Sequence, residues 1–219
     1  MNTMADIIAK NWRRKHFDFN DENLIRELKK ELFSYVQNSF FDPQTNLPVL
    51  TDDDKKNLSS VFYWLIGNCN HLIYNKAPLF SGFFGTGKSV TMKGIIKFIN
   101  NHYSHDVMLG GITNPIYILS QDMANAFKDN DTVLINKIKS CSILAIDDLG
   151  YEAKTVQHFG TEAMPFVEII MSRYDKRKTT LITTNMKMDD IGEKYGWQVY
   201  DRIKQMSFLI QFKGNSKRI

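Results

Sequence analysis

The sequence has little cysteine and no long hydrophobic run, and both absences exclude whole classes of protein. Only two of its 219 residues are cysteines, Cys69 and Cys141, and neither has a second cysteine or a histidine at zinc-binding spacing. A zinc site or a disulfide framework is therefore not expected. No segment approaches the ~20 apolar residues that a membrane span requires, and the start of the sequence has no apolar signal-peptide core. We expect a cytoplasmic protein with no membrane partner.

The composition is that of a globular domain, with its charge unevenly distributed. Hydrophobic residues make up 43% and charged residues 24% of the chain, which is enough apolar material for one core. The net charge is +4, and residues 171–219 carry 11 basic against 5 acidic side chains. Such an asymmetry indicates contact with phosphate, either in a nucleotide or in a nucleic-acid backbone.

The hydrophobic pattern predicts two helices followed by alternating strands and helices. Apolar residues at helical spacing predict a first helix over Glu22–Phe40, and Thr51 and Asp54 are spaced like a capping box at the start of a second. The strands that we expect after them are Ala77–Ser81, Pro115–Leu119, Ser142–Ile146, Thr180–Thr184 and Phe208–Phe212. Because these runs are continuously apolar and helical segments separate them, we expect an α/β fold: a five-stranded parallel sheet with helices on both faces.

A glycine-rich segment between the first strand and the next helix is the strongest functional motif. Residues 82–89 match G-x-x-x-x-G-K-[ST], the pattern of a phosphate-binding loop. Glycines let successive backbone N–H groups converge on one point, where the helix N-terminus adds partial positive charge. We expect Lys88 to reach the β- and γ-phosphates and Ser89 to ligate Mg²⁺. The predicted nucleotide-binding residues of this segment are Gly82, Phe83, Phe84, Gly85, Thr86, Gly87, Lys88, Ser89 and Val90.

Two adjacent carboxylates follow the third predicted strand, which is a Walker B pattern. Buried carboxylates are costly unless a cation needs them, so we expect Asp147 to hold Mg²⁺ together with Ser89. Asp148 stands where many ATPases with a phosphate-binding loop and a Walker B pattern carry a glutamate that orients the attacking water. Because aspartate is one methylene shorter, we expect slow hydrolysis. Glu152 is the alternative base, and the other interpretation makes it a surface loop carboxylate.

Three more polar side chains are candidates for contact with phosphate. Asn185 follows the fourth predicted strand and stands at the carboxyl edge of the sheet, where open α/β sheets bind ligands. Arg202 precedes the last strand and Arg218 follows it, and a guanidinium group suits bidentate contact with phosphate. By spacing alone, either arginine is also compatible with an ordinary surface position.

Five sequence motifs together point to one family. Gly-Thr-Gly-Lys-Ser, Ile-Asp-Asp-Leu-Gly-Tyr-Glu, Thr-Thr-Asn-Met, Asp-Arg-Ile and Gly-Asn-Ser-Lys-Arg occur in that order. In this the chain resembles the DnaC/DnaI/IstB group, bacterial AAA+ ATPases that load replicative helicases or assist transposases. The resemblance covers residues 55–219 and implies a P-loop NTPase core with strand order 5-1-4-3-2 and no C-terminal lid domain. Residues 1–54 would then be a short helical extension.

The resemblance also implies roles for the candidate residues. Asn185 matches sensor 1, and Arg202 matches the arginine finger that reaches the ATP of a neighbouring subunit. Arg218 matches sensor 2, which faces the γ-phosphate from its own subunit. The implied activity is ATP hydrolysis with Mg²⁺ in a homo-oligomer that forms on ATP or DNA. The implied function is the loading of a replicative DNA helicase onto single-stranded DNA.

Partner surfaces are less sharply predicted than the ATP site. Family members bind single-stranded DNA through the face between the second and third strands, where Phe127, Lys128, Lys137 and Lys139 are candidates. The other interpretation of these four is a solvated helix and loop. The helix Glu22–Phe40 either docks a partner protein or packs on its own core.

Three other functions are compatible with the same motifs. The first is an IstB-like ATPase that assists a DNA transposase on duplex DNA. The second is a nucleotide-gated DNA-binding adaptor with little turnover, which the aspartate at position 148 permits. The third, a P-loop kinase for a small molecule, usually requires an arginine-rich closing lid, and the sequence shows no such segment.

Overall fold

Helices and strands alternate along the part of the chain that the structure, a computed structural model, describes: residues 21–37, 50–67, 76–103, 115–214 and 216–217. The helices are α1 (Glu22–Gln37), α2 (Asp52–Leu65), α3 (Lys88–Tyr103), α4 (Ser120–Lys128), α5 (Thr132–Ser140), α6 (Pro165–Asp175), α7 (Met188–Tyr195) and α8 (Trp197–Met206). The strands are β1 (Ala77–Gly82), β2 (Ile116–Leu119), β3 (Ile143–Leu149), β4 (Val156–His158), β5 (Thr161–Ala163), β6 (Thr179–Thr184) and β7 (Ser207–Phe212). Within those ranges, no helix is long and apolar enough to cross a membrane.

Five of the strands form one parallel sheet in the order β2-β3-β6-β1-β7. β1 is paired on both sides, with Leu79 in register with Ile182 of β6 and Leu209 of β7. Counted along the chain and read from the opposite edge, this is the order 5-1-4-3-2. The predicted fold class and strand order are therefore confirmed. Because all five strands run in the same direction, the residues that follow β1, β3 and β6 lie at one edge of the sheet.

Each face of the sheet is covered by its own hydrophobic cluster. Helices α1, α2 and α3 contribute to the first cluster, and α4 to α8 contribute to the second. Within β3, Ile143 and Ala145 belong to the first cluster. Leu144 and Ile146 belong to the second. Burial on both faces explains why the strands are continuous apolar runs instead of alternating ones.

The N-terminal helix α1 packs on the core, the second of the two alternatives that the sequence left open for it. Leu28 and Leu32 are buried in the cluster that α1 shares with α3. At Gly94 of α3, a Cβ atom would lie 2.8 Å from Cγ2 of Val36, so glycine allows this close approach. The described part of the helix ends at Gln37, and the last three residues predicted for it lie outside the described residues. The division of the chain after residue 54 stays a prediction.

Two features were missing from the sequence analysis. The first is α5, whose first turn is capped by Asp131, which accepts a 2.9 Å hydrogen bond from the backbone N–H of Leu134. The second is the antiparallel β4–β5 hairpin, whose tip residues Phe159 and Gly160 have φ values of 48° and 80°. Nine residues of helix and three-residue strands give too short a hydrophobic pattern to detect. The capping aspartate was the available signal for α5.

A buried arginine joins α6 to the beginnings of β3 and β6. Arg173 is fully buried. Its Nη1 atom donates to the carbonyl oxygens of Ile138 (2.8 Å) and Cys141 (2.9 Å), and its Nη2 donates to that of Thr179 (2.6 Å). Its Nε donates to the Thr180 hydroxyl at 2.8 Å. One guanidinium thus supplies hydrogen-bond donors to backbone carbonyls at the end of α5 and at the start of β6.

We expect Arg173→Met to lower the free energy of unfolding by about 3 kcal/mol, because buried carbonyl oxygens lose their donors. Urea denaturation monitored by circular dichroism measures this change. Arg26→Met on the exposed surface of α1 is the control and should stay within about 0.5 kcal/mol of wild type. Equal stability of the two variants would contradict the structural role of Arg173.

Candidate nucleotide-binding site

The segment between β1 and α3 has the backbone of a tight phosphate-binding turn. β1 ends at Gly82 and α3 begins at Lys88. Gly85 and Gly87 have φ values of 71° and 106°, in the left-handed region that favours glycine. The buried Thr86 between them donates its hydroxyl hydrogen to the carbonyl oxygen of Phe83 at 2.8 Å. The glycine positions of the motif are thus those that the turn itself requires.

The side chain of Lys88 is almost fully buried and lies inside this loop. Its Nζ atom donates to the carbonyl oxygens of Gly82 (2.8 Å) and Phe83 (2.7 Å) and to Oδ1 of Asn185 (2.6 Å). Oxygen atoms from β1, the loop and the end of β6 therefore surround one ammonium group. Lys88 and Asn185 are 97 positions apart in the sequence, and the parallel pairing of β1 with β6 brings them together.

Asp147 lies beside the start of α3. Its Oδ1 atom accepts a 3.0 Å hydrogen bond from the Ser89 hydroxyl and another from the Thr183 hydroxyl. Its Oδ2 accepts a 2.5 Å hydrogen bond from the Tyr117 hydroxyl. Asp147 is 1% exposed, so these donors compensate for the burial of its charge.

Tyr117 and Thr183 are site residues that the sequence analysis missed. Burial and then the hydrogen bond to Asp147 raise the pKa of Tyr117 far above the usual value for tyrosine. The phenol therefore stays protonated at neutral pH and remains a hydrogen-bond donor to the carboxylate. Thr183 belongs to the Thr-Thr-Asn motif and was recognisable there, whereas a tyrosine within a short apolar strand gives no specific signal.

The chain changes direction at Asp148. Its φ of 55° is left-handed, the β3–β6 register shifts between Ile146 and Leu149, and its backbone N–H donates to the Thr183 hydroxyl at 2.8 Å. This irregularity turns the backbone directly after Asp147 and before the following loop.

Glu152 is not the surface carboxylate that one interpretation of the sequence suggested, and its role as an alternative base stays a prediction. It is 4% exposed and accepts hydrogen bonds from the Gly150 N–H (2.9 Å) and from the Tyr195 hydroxyl. Lys194 lies 3.8 Å from it. Burial and the contact with Glu152 raise the pKa of Tyr195. Glu152 therefore joins the loop after β3 to α7.

Asn185 is fixed from both ends of its amide group. While Oδ1 faces Lys88, Nδ2 donates to the Tyr151 hydroxyl at 3.2 Å. The Tyr151 ring makes an edge contact with Phe84, with ring centroids 5.8 Å apart. Tyr151 is a third site residue, after Tyr117 and Thr183, that the sequence analysis did not select. It joins the loop after β3 to the phosphate-binding loop.

Arg202 is directed away from the loop of its own chain. Its Nη1 donates to the Tyr174 hydroxyl at 3.2 Å. Tyr174 lies in the last turn of α6, shortly before β6 begins at Thr179. Lys76, just before β1, donates to the carbonyl oxygen of Lys204 at 2.9 Å. These contacts place Arg202 toward the amino edge of the sheet, whereas Lys88 is at the carboxyl edge. Among the described residues, the buried Nε of Arg202 has no hydrogen-bond partner.

The other predicted residues have mixed positions. Phe83 and Phe84 are 77% and 58% exposed at the rim of the loop, and Val90 packs beside the cluster of Val36 and Leu58. Arg218 lies outside the described residues. The residue before it, Lys217, donates its backbone N–H to the carbonyl oxygen of Gly85 at 2.9 Å, so the C-terminal segment reaches the loop.

The predicted DNA face is only partly available. Phe127 is fully buried, so the structure does not support it as a candidate for contact with single-stranded DNA. Lys139 is paired with Glu168 at 3.2 Å and covers the Phe127 ring. Lys128 and Lys137 are exposed and remain candidates for contact with phosphate.

The donor set fits a nucleotide with Mg²⁺. Lys88 and the turn of α3 present positive charge and N–H groups to a phosphate, and the Ser89 hydroxyl and Asp147 carboxylate are oxygen ligands of the kind that Mg²⁺ takes. No group of three or more His, Cys, Asp or Glu residues able to hold a metal occurs in the described part of the chain. A cation at Ser89 and Asp147 would therefore need further oxygens from phosphate and water.

Fold and loop together define the class: the chain has the P-loop AAA+ fold. No protein-family model matches the chain, and no curated protein has a significant match to its sequence.

The likeness to known proteins comes from solved structures. The DnaC helicase loader superposes with a TM-score of 0.61 at 21% sequence identity, over 84% of this chain and 99% of that one. DnaI superposes with a TM-score of 0.60 at 17% identity, over 88% and 93%. The replication initiator DnaA, bound to AMPPCP and single-stranded DNA, has a TM-score of 0.55 at 17% identity, over 82% and 53%.

We expect Tyr117→Phe to raise about tenfold the Mg²⁺ concentration needed for half-maximal binding of an ATP analogue, because Asp147 loses the donor that orients it. Fluorescence titration with Mg²⁺ measures the change. Tyr63→Phe, at a half-exposed position on α2, is the control. An unchanged Mg²⁺ requirement would show that Tyr117 does not orient the carboxylate.

Proposed function

We propose that this protein is a cytoplasmic AAA+ ATPase that helps to load a replicative helicase onto single-stranded DNA. The observation that carries the ATPase part of this proposal is the arrangement at the carboxyl edge of the sheet. Three elements from distant parts of the sequence place Lys88, Asn185 and the Ser89–Asp147 pair around the phosphate-binding loop. The P-loop AAA+ fold is the second support.

In this proposal the residues divide the work on ATP between them. Backbone N–H groups of the loop bind the phosphates, and Lys88 exchanges its internal oxygen partners for phosphate oxygens. Ser89 and Asp147 hold Mg²⁺, which would neutralise charge on the phosphates. Asn185 positions the attacking water or the γ-phosphate, while Tyr151 fixes its amide. Asp148 accepts a proton from that water.

Hydrolysis would require a second copy of the chain. Arg202 lies toward the edge of the sheet opposite Lys88, so a finger role requires the site of a neighbouring subunit. Its Nε has no hydrogen-bond partner among the described residues, and contact of the guanidinium with a phosphate in the assembled oligomer would supply an acceptor. Arg218 is proposed to contact the γ-phosphate within its own subunit.

A nucleotide-gated DNA-binding adaptor with little turnover is the second candidate function. It is favoured by the left-handed backbone at Asp148, combined with a carboxylate one methylene shorter than glutamate. Both features work against a well-placed base at this position. Tight binding of ATP with negligible phosphate release, in the presence of single-stranded DNA, would establish this alternative.

We expect Arg202→Ala to lower ATPase activity at least about 100-fold, because an arginine finger stabilises transition-state charge, and to leave ATP affinity near wild type. Phosphate release and equilibrium binding of a fluorescent ATP analogue measure the two effects. Lys88→Ala should lose both, and Arg26→Ala should lose neither.

A mixing experiment decides whether the finger acts between subunits. Combining Arg202→Ala with Lys88→Ala chains should restore part of the activity, since each contributes what the other lacks. Full ATPase activity of the wild-type chain as a dilute monomer would contradict the action of Arg202 on a neighbouring subunit.

The DNA part of the proposal depends on surface charge. Replacing Lys128 and Lys137 by alanine should weaken binding to an oligo-dT strand. The slope of log K against log salt should fall by about 1.4, because each phosphate contact on a single strand contributes about 0.7. A double alanine variant at Lys55 and Lys56 on α2 is the control. A salt slope unchanged from wild type would place the DNA elsewhere.

The partner protein is the remaining element of the proposal, and its support is the likeness of the fold to that of the DnaC helicase loader. Affinity capture of the tagged chain from its host lysate with ATP, followed by mass spectrometry, tests it directly. Recovery of a hexameric replicative helicase would support loading. Recovery of a transposase would instead support the IstB-like alternative, with the same ATP site.

A further inference from the structure

The C-terminal segment after β7 lies against the phosphate-binding loop. Gly214 turns the chain with a φ of 99°, and Lys217 donates its backbone N–H to the carbonyl oxygen of Gly85 at 2.9 Å. Ser216 occupies the space where a side chain at Gly85 would be, with its Cα 3.2 Å from the position of such a Cβ. The loop therefore packs against this segment on one side.

A buried ion pair anchors the segment to α2. The Nζ atom of Lys217 donates to Oδ2 of Asp54, and the two side chains are only 9% and 7% exposed. Asp54 is itself fixed, because Oδ2 also accepts from the backbone N–H (2.8 Å) and the hydroxyl (2.7 Å) of Thr51 in the capping box. The lysine therefore meets a carboxylate whose position the helix start has already determined.

The contact at Gly85 also determines what the loop presents to a ligand. No cis peptide bond occurs among the described residues. In a trans peptide, the carbonyl oxygen of Gly85 and the N–H of Thr86 point in opposite directions. Hydrogen bonding of that oxygen to Lys217 thus directs the Thr86 N–H away from the C-terminal segment. Backbone N–H groups of such loops bind the α- and β-phosphates.

We propose that Asp54 and Lys217 form a positioning pair, which holds the C-terminal segment on Gly85 and so orients the Thr86 amide toward the nucleotide's phosphates. The inference rests on the proposed nucleotide binding. It assigns to two residues outside the motif a share in nucleotide affinity. The pair also connects the start of α2 to the phosphate-binding loop, so a displacement of the helix start would change the position of the loop.

Binding of a fluorescent ADP analogue tests the pair. Asp54→Asn and Lys217→Met should each raise the Kd about tenfold, and the double variant should bind no worse than either single one, because the two residues act as a unit. The matched control is Asp52→Asn with Lys55→Met. Those residues form an exposed ion pair at 3.1 Å in the first turn of the same helix, and ADP affinity should not change.

Thermal unfolding without nucleotide separates positioning from stability. A merely structural pair would lower Tm and leave ADP affinity at the wild-type value, which would overturn the proposal. Lys217→Met keeps the test decisive if Asp54→Asn disturbs the helix cap, because Lys217 lies outside α2 and its capping box.

Other outcomes also contradict the proposal. Weaker binding of an ATP analogue but not of ADP would show that the segment acts at the γ-phosphate and not through the Thr86 amide. Additive losses in the double variant would show that the two residues act separately. If the wild-type chain binds neither ATP nor ADP, both the proposed function and this inference are overturned. If the wild-type chain binds ADP and the variants bind it with the same Kd, the inference alone is overturned.

Discussion

The burial of the Lys88 ammonium group is the constraint on which the site depends. A buried cation requires oxygen partners, and they come from the end of β1, from the loop and from Asn185 after β6. This requires β1 and β6 to be neighbours with the same direction. The parallel pairing of β1 with β6 is therefore as much a part of the site as the glycines of the loop.

Burial of Asp147 imposes a second constraint on the same edge of the sheet. Its carboxylate takes hydroxyl donors from α3, β6 and β2, namely Ser89, Thr183 and Tyr117. Each donor comes from a different element, so the environment of the Asp147 carboxylate depends on the positions of all three elements. The two buried side chains, Lys88 and Asp147, connect α3 to the ends of β1, β3 and β6, and their ammonium and carboxylate groups are of the kinds that suit a phosphate and a divalent cation.

The sequence predicted the fold and the centre of the site because these depend on strong patterns. Continuous apolar runs indicated a sheet buried on both faces, and the sequence order of motifs indicated which strand ends carry polar groups. It did not find Tyr117 or Tyr151, because a tyrosine in or after a short strand has no spacing that distinguishes contact with the site from packing. Phe127 was a candidate for DNA contact because the resemblance indicates only a region of the chain and not which of its side chains are exposed, and Phe127 is buried.

The sequence by itself determined the phosphate-binding turn, since its positive φ values strongly favour glycine, and it determined the α/β class, since hydrophobic patterning reports local burial. Only the tertiary structure decided which charged and polar side chains contact one another. The Lys88–Asn185 contact spans 97 positions and the Asp54–Lys217 pair spans 163, and no local pattern encodes such separations. Tertiary packing also placed Arg202 at the edge of the sheet opposite Lys88. Pairing of distant side chains depends on strand order and helix placement, which are properties of the whole fold.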